Sequence, residues 1–87
     1  MSFPLPNVFG AEQTDSWHSP AINGGGITVT FPNGWGVSII RHDGSYGGPA
    51  GLFEAMPIDQ AGNLFGEPAG WLNLSDLDKV CEAIAAQ

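Results

Sequence analysis

The amino-acid sequence predicts an α+β fold, with a small antiparallel β-meander of three to four strands, one C-terminal helix packed on a face, and an extended irregular N-terminal arm. Two observations support this prediction. Apolar residues alternate with polar ones on both sides of Asn33-Gly34, as in a β-hairpin. Apolar residues then recur at helical spacing near the C-terminus. A chain of 87 residues, 43% of them hydrophobic, is sufficient for one domain with a single core.

The predicted arm covers residues 1–26. Pro4 and Pro6 exclude a helix at its start and favour extended backbone. Gly24 to Gly26 are predicted to form a flexible joint before the first strand. Large apolar side chains such as Phe3 and Trp17 seldom stay in water, so we expect the arm to pack on its own chain or on a dimer mate rather than on a foreign partner.

The α+β domain is predicted over residues 27–87. Asn-Gly tolerates the positive φ angles of a type I′ turn, so the first two strands form a hairpin around Asn33-Gly34. Pro57 removes one donor from the third strand, whose end is therefore expected at an edge or a bulge. The predicted strands cover residues 27–31, 35–41 and 52–58, with a short fourth strand at 64–65.

The predicted helix covers residues 76–86. Ser75 is the expected N-cap, and Asp78 is placed to complete a capping box. One apolar stripe at the spacing i, i+3, i+4 and i+7 would face the sheet. Its members are Leu77, Val80, Cys81 and Ile84.

Charge and cysteine content exclude several function classes. Nine acidic residues against Arg41 and Lys79 give a net charge of −7, which disfavours binding to nucleic acid and to anionic membranes. The acids are scattered, which favours a role in solubility over mimicry of DNA. The single Cys81 excludes an intrachain disulfide. Without a basic leader or a long apolar run, the expected location is the cytoplasm.

The residues that could perform chemistry are better explained by structure. His42-Asp43 with Ser45 and Tyr46 could supply a base, an orienting carboxylate and a nucleophile, but adjacent residues in a glycine-rich loop do not specify the geometry of a catalytic site. The glycine runs lack a phosphate-loop ending, and the histidines and Cys81 match no metal-ligand spacing. We therefore predict no catalytic residues, no cofactor and no metal. Trp35 and Trp71 are expected to be core clamps between sheet and helix.

Several short motifs follow one another from Phe31 to the C-terminus. They are TFPNGWGVSII, SYGG and GLFEAM, then Asp59 and Gly62, and finally the corner Gly70-Trp71-Leu72 before the helix. In this pattern the chain resembles a family of small bacteriophage-encoded proteins. The resemblance implies a phage product that acts in the host cytoplasm. It provides no catalytic residues that could be assigned to this sequence.

These observations together predict a non-enzymatic phage accessory protein that binds a host protein. Partly exposed aromatic side chains beside glycine-rich backbone are suited to recognition. The predicted partner-binding residues are Asn33, Gly34, Trp35, Ser45, Tyr46, Gly47 and Gly48. One alternative is a homo-oligomeric structural protein, for example a homodimer, joined through the arm or an edge strand. Another is a protein that sequesters a small molecule in the loop 42–51.

Overall fold

The computed structural model describes residues 3–87 as a five-stranded antiparallel sheet with one helix packed on one face. The strands are β1 (Glu12–Ser19), β2 (Gly24–Thr30), β3 (Gly36–Arg41), β4 (Phe53–Ile58) and β5 (Ala69–Leu72), and the helix is α1 (Leu74–Ala85). Strand order in the sheet follows the chain, so the sheet is a meander. The predicted α+β class is confirmed, with more strands than the predicted three to four.

The core lies between the sheet and α1. Ile27 on β2 pairs with Ile39 on β3, which pairs with Ala55 on β4, and all three are buried. From α1 the buried side chains are Leu77, Cys81 and Ile84, with Val80 packed beside them. The predicted apolar stripe of the helix therefore does face the sheet.

The two faces of the sheet have different surroundings. Directly paired residues of antiparallel strands point to the same face, and neighbours along a strand alternate. One face holds the core residues and is called the helix face. The other, the open face, includes a row running from Trp17 through Gly26 and Ile40 to Glu54.

The first strand lies inside the segment predicted to be an irregular arm. Residues 12–19 form β1, an edge strand whose side chains are exposed from Glu12 to His18. Such a strand has no buried apolar face and so gives no alternating pattern in the sequence. Its register with β2 shifts between Gln13 and Asp15, where the strand contains a bulge.

The three consecutive glycines do not form a joint. Gly24, Gly25 and Gly26 are buried and pair with β1, and Gly25 and Gly26 also pair with β3. A Cβ atom on Gly26 would lie 2.8 Å from the main-chain oxygen of Ile39. Glycine is therefore required here for close packing rather than for flexibility.

Three residues near the start of the predicted arm, Phe3, Asn7 and Val8, contact their own chain. The ring of Phe3 meets that of Phe53 edge-on, with 5.8 Å between centroids. The main-chain N–H of Asn7 donates to Oδ1 of Asp78 at 2.9 Å, and Val8 packs against the core. Phe9 remains 97% exposed. The part of the predicted arm at residues 1 and 2 lies outside the described residues.

The helix begins earlier than predicted and has a different cap. Asn73, in extended conformation, accepts a hydrogen bond from the N–H of Asp76 at 2.8 Å, so it is the N-cap instead of Ser75. Asp78 does not complete a capping box with Ser75, since its carboxylate accepts from Asn7. The cap lies next to β5, a strand that the sequence did not predict, and the chain turns directly from strand to helix there.

The β2–β3 turn also differs from the predicted type I′. Gly34 has φ 86°, whereas Asn33 is not in the left-handed region. The N–H of Gly34 donates to the carbonyl of Phe31 at 2.9 Å, and the N–H of Phe31 donates to the carbonyl of Trp35 at 2.8 Å. The connection is therefore a three-residue loop with glycine at its left-handed position.

No helix in residues 3–87 is long and apolar enough to cross a membrane.

Candidate functional site

The predicted partner-binding residues lie at two separate ends of β3. Asn33, Gly34 and Trp35 precede this strand, and the loop from Ser45 to Gly48 follows it. The strand has six residues, which span roughly 20 Å at about 3.3 Å each. The hairpin tip and the loop therefore do not form one continuous surface.

The hairpin tip is connected to the end of the helix by Asn33. Its Nδ2 donates to the carbonyl oxygens of Ile84 at 2.9 Å and of Gln87 at 3.3 Å. Its Oδ1 accepts from the N–H of Trp35 at 3.0 Å. Trp35 is half-buried, packs against the core and meets Phe65 edge-on at 5.2 Å. The polar groups of Asn33 are thus used inside the protein.

Asn33→Ala is expected to destabilise the fold by about 1–2 kcal/mol, because it removes hydrogen bonds to helix carbonyls and to the turn. Urea unfolding of the variant measures this loss. Asn63→Ala is the matched control, since Asn63 is exposed and its hydrogen bonds to Asp59 are made by its main chain. Equal unfolding midpoints for the two variants would contradict this role of Asn33.

The loop 42–51 is fixed by Ser45. The Ser45 hydroxyl donates to the carbonyl of His42 and accepts from the N–H of His42, both at 2.9 Å, and Ser45 is buried. Gly48 lies against this bonded pair, and a Cβ atom there would overlap the main-chain oxygen of His42. Ser45 and Gly48 therefore shape the loop from inside.

The side chains considered for catalysis have structural partners. Nδ1 of His42 accepts from the N–H of Gly44 at 3.0 Å, and the ring packs beside Trp17 with 5.9 Å between centroids. Oδ2 of Asp43 accepts from the side chain of Asn23 at 2.9 Å. The Ser45 hydroxyl forms its hydrogen bonds with the main chain of His42 and not with the imidazole ring. These contacts therefore stabilise the loop and do not form a hydrogen-bonded pair of nucleophile and base.

Metal-ligating side chains do not gather within residues 3–87, where no group of three His, Cys, Asp or Glu could hold an ion. Cys81 is fully buried among core side chains. Burial, assisted by the Asp78 charge, raises the pKa of its thiol from 9.0 to about 12. The thiol is therefore neutral and inaccessible in the folded protein.

Tyr46 and Trp71 form the most conspicuous exposed pair of aromatic residues near the loop, and we call them the aromatic patch. They are 60% and 63% exposed. The N–H of Trp71 donates to the carbonyl of Tyr46 at 3.1 Å, and the N–H of Tyr46 donates to Oε1 of Glu54 at 2.8 Å. Gly70 gives the Tyr46 side chain room to approach β5, since a Cβ atom there would overlap it. The patch is thus held by main-chain contacts that leave both rings accessible.

Trp71 does not fulfil its predicted role as a core clamp. Its φ is 58°, in the left-handed region that side chains other than glycine seldom adopt. It lies on the edge strand β5, between half-buried Gly70 and buried Leu72. Such a conformation costs about 1–3 kcal/mol, so the surrounding contacts must maintain it. A tryptophan is expected inside by its type, and the sequence contains no signal for this backbone reversal.

The open face adjoins the aromatic patch through Glu54. The row from Trp17 to Glu54 crosses three strand spacings, roughly 14 Å, and ends at the carboxylate that holds Tyr46. Trp17 is 43% exposed and Ile40 is half-buried. Aromatic and aliphatic side chains therefore continue from the patch across the sheet.

A cleft of about 740 Å³ lies on the other side of the molecule, between the arm, the start of β4 and the start of α1. Phe3, Phe53 and Leu74 form its apolar lining. The guanidinium of Arg41 lies 5.6 Å from the Phe3 ring centroid and 4.8 Å from that of Phe53. Only the end of the loop 42–51, at Gly51, reaches this cleft, which involves none of the predicted partner-binding residues.

No protein-family model, curated protein or solved structure matches this chain.

Proposed function

We propose that this protein is a non-enzymatic accessory protein that acts by binding another protein through the aromatic patch. In keeping with the family resemblance in its sequence, the proposed setting is a phage infection and the proposed partner a host protein in the cytoplasm. The observation that supports binding is the exposure of Tyr46 and Trp71, at 60% and 63%, on two segments joined by a main-chain hydrogen bond.

Exposed aromatic rings on a fixed backbone are suited to protein recognition. Tyrosine and tryptophan provide much of the binding energy in protein interfaces, since they bury a large area and lose little conformational freedom. The Tyr46 main chain is fixed by Glu54 and by Trp71, so less ordering is needed on binding. The strained φ of Trp71 supports the same proposal, because such strain concentrates at functional positions.

The contacts of the arm favour this proposal over an oligomer joined through the arm. Phe3 and Val8 pack on the protein's own core, and Asn7 bonds Asp78 on the helix. An arm bound in this way would have to release these contacts before it could reach a neighbouring subunit.

The test is affinity capture from host lysate with quantitative comparison of variants. Tyr46→Ala removes one ring, and Trp71→Gly removes the other while suiting the left-handed backbone. Each is expected to reduce recovery of a stoichiometric partner by at least about tenfold, as for interface hot spots. Phe9→Ala is the matched control, because Phe9 is 97% exposed and lies outside the patch.

Circular dichroism and thermal melting establish that each variant is folded before capture is compared. Recovery of the partner at the wild-type level by both folded patch variants would refute binding through Tyr46 and Trp71.

A further inference from the structure

The open face combines an apolar centre with charge of one sign. Its apolar centre consists of Trp17, Ile40 and Met56, which the strand registers place on the face opposite the helix. Around them the same registers place the carboxylates of Glu12, Asp15 and Glu54.

The apolar centre is organised around Gly26. A Cβ atom on Gly26 would lie 2.8 Å from Nε1 of Trp17 and 2.9 Å from Cγ2 of Ile40. Both side chains therefore close over the same glycine and present one connected surface. Met56 pairs with Ser38, two residues from Ile40 on the same face. Because α1 packs on the helix face, this surface is not covered by the helix.

Two of these carboxylates accept hydrogen bonds from main-chain N–H groups. Oδ1 of Asp15 accepts from the N–H of Ser16 at 2.9 Å, and Oε1 of Glu54 accepts from the N–H of Tyr46, so these hydrogen bonds come from neutral donors. Arg41 pairs with Gly25 and lies over Phe53 on the helix face, and Lys79 is exposed on α1. Within residues 3–87 both basic side chains are thus on the helix side of the sheet.

We propose that the open face binds a partner protein whose docking surface has an apolar centre bordered by lysine and arginine. This inference rests on the proposed function and adds the partner's charge and a second contact area beside the aromatic patch. Charge complementarity supports a basic partner, because opposite potentials favour encounter and correct orientation. A second copy of this chain would bring a net charge of −7 and the same carboxylates against the face.

The probe is a synthetic amphipathic peptide of leucine and lysine, compared with its leucine and glutamate counterpart by fluorescence anisotropy. Wild-type protein is expected to bind the basic peptide, more weakly at high salt, and not the acidic one. The test variant carries Glu12→Gln, Asp15→Asn and Glu54→Gln, and the glutamine at 54 keeps an oxygen acceptor for Tyr46.

The matched control removes the same number of charges outside the strands of the sheet. It carries Glu67→Gln, Asp76→Asn and Glu82→Gln, so its net charge equals that of the test variant. The open-face variant is expected to bind the basic peptide at least about tenfold more weakly than wild type, and the control within about twofold.

Three results would overturn the inference: no binding of the basic peptide, equal weakening in both triple variants, or a dimer of the free protein by light scattering that Trp17→Ala dissociates. Capture of the host partner separates this inference from the proposed function. If patch variants abolish capture while the open-face triple variant retains it, the proposed function stands and the basic-partner inference fails.

Discussion

Replacing Gly24 with alanine is expected to destabilise the protein by about 3 kcal/mol, in the upper part of the range for overpacked positions. Gly24 is buried and pairs with Ser19 on β1. A Cβ atom there would overlap the main-chain oxygen of Arg41 and lie 2.7 Å from Cα of His42. Both are main-chain atoms, so rotating a side chain cannot relieve the overlap.

Urea unfolding followed by tryptophan fluorescence measures this effect. Gly44→Ala is the control, because its nearest neighbours are side-chain ring atoms of His42 at 3.3 Å and 3.4 Å, and its expected change is within about 0.5 kcal/mol. A flexible joint at Gly24 predicts the opposite sign, since Gly→Ala in an unstrained position stabilises by about 0.4–1 kcal/mol. An unchanged or raised midpoint for Gly24→Ala would therefore refute the close packing.

Alkaline pH is expected to destabilise the protein through Cys81. The folded-state pKa of its thiol is raised to about 12 from 9.0, so the unfolded chain releases the thiol proton first as pH rises. The unfolded state then binds fewer protons than the folded state, and the free energy of unfolding falls with pH. The stability contributed by the neutral thiol is complete below pH 9 and is lost between 9 and about 12. The slope is about 1.4 kcal/mol per pH unit, which gives about 4 kcal/mol over the interval.

Unfolding free energies at pH 8 and pH 10 test this linkage in wild type and Cys81→Ala. The variant lacks the thiol but keeps every other titrating group, so the difference between the two proteins isolates Cys81. Wild type is expected to lose about 1.4 kcal/mol more than the variant between the two pH values. Parallel changes in both proteins would show that the thiol has similar pKa values in the folded and unfolded states.

The elements with one buried face could be predicted from the sequence. One face of α1 is buried, and so are Ile27, Val29 and Ile39 on β2 and β3. Burial of one face favours apolar side chains at helical spacing in a helix and at every second residue in a strand. β1 could not be found in this way, because its side chains are exposed on both faces and main-chain pairing leaves no trace in composition. The predicted joint at Gly24 to Gly26 is wrong for a related reason, since the sequence alone does not distinguish a glycine needed for close approach of the backbone from one needed for conformational freedom.

Of the two residues of the aromatic patch, only Tyr46 is among the partner-binding residues that the sequence predicts. The predicted residues Asn33 and Ser45 use their polar groups within the fold, where hydrogen bonds join segments far apart in the chain or close a loop. The sequence predicts Trp71 in the core because tryptophan is largely apolar, whereas in the structure it is 63% exposed and has φ 58° on an edge strand. The N–H of Trp71 donates to the carbonyl of Tyr46, a contact between separate segments that the local sequence does not encode.

Both edges of the sheet carry features that disfavour the addition of another strand. The β1 edge is acidic and interrupted by the bulge near Asp15, and the β5 edge has only four residues, one of them Trp71 in a left-handed conformation. Charge, bulges and short length are the features that prevent an edge strand from serving as a template for fibril growth. Both edges thus favour the proposed contact through side chains on the face of the sheet over extension of its hydrogen-bond ladder.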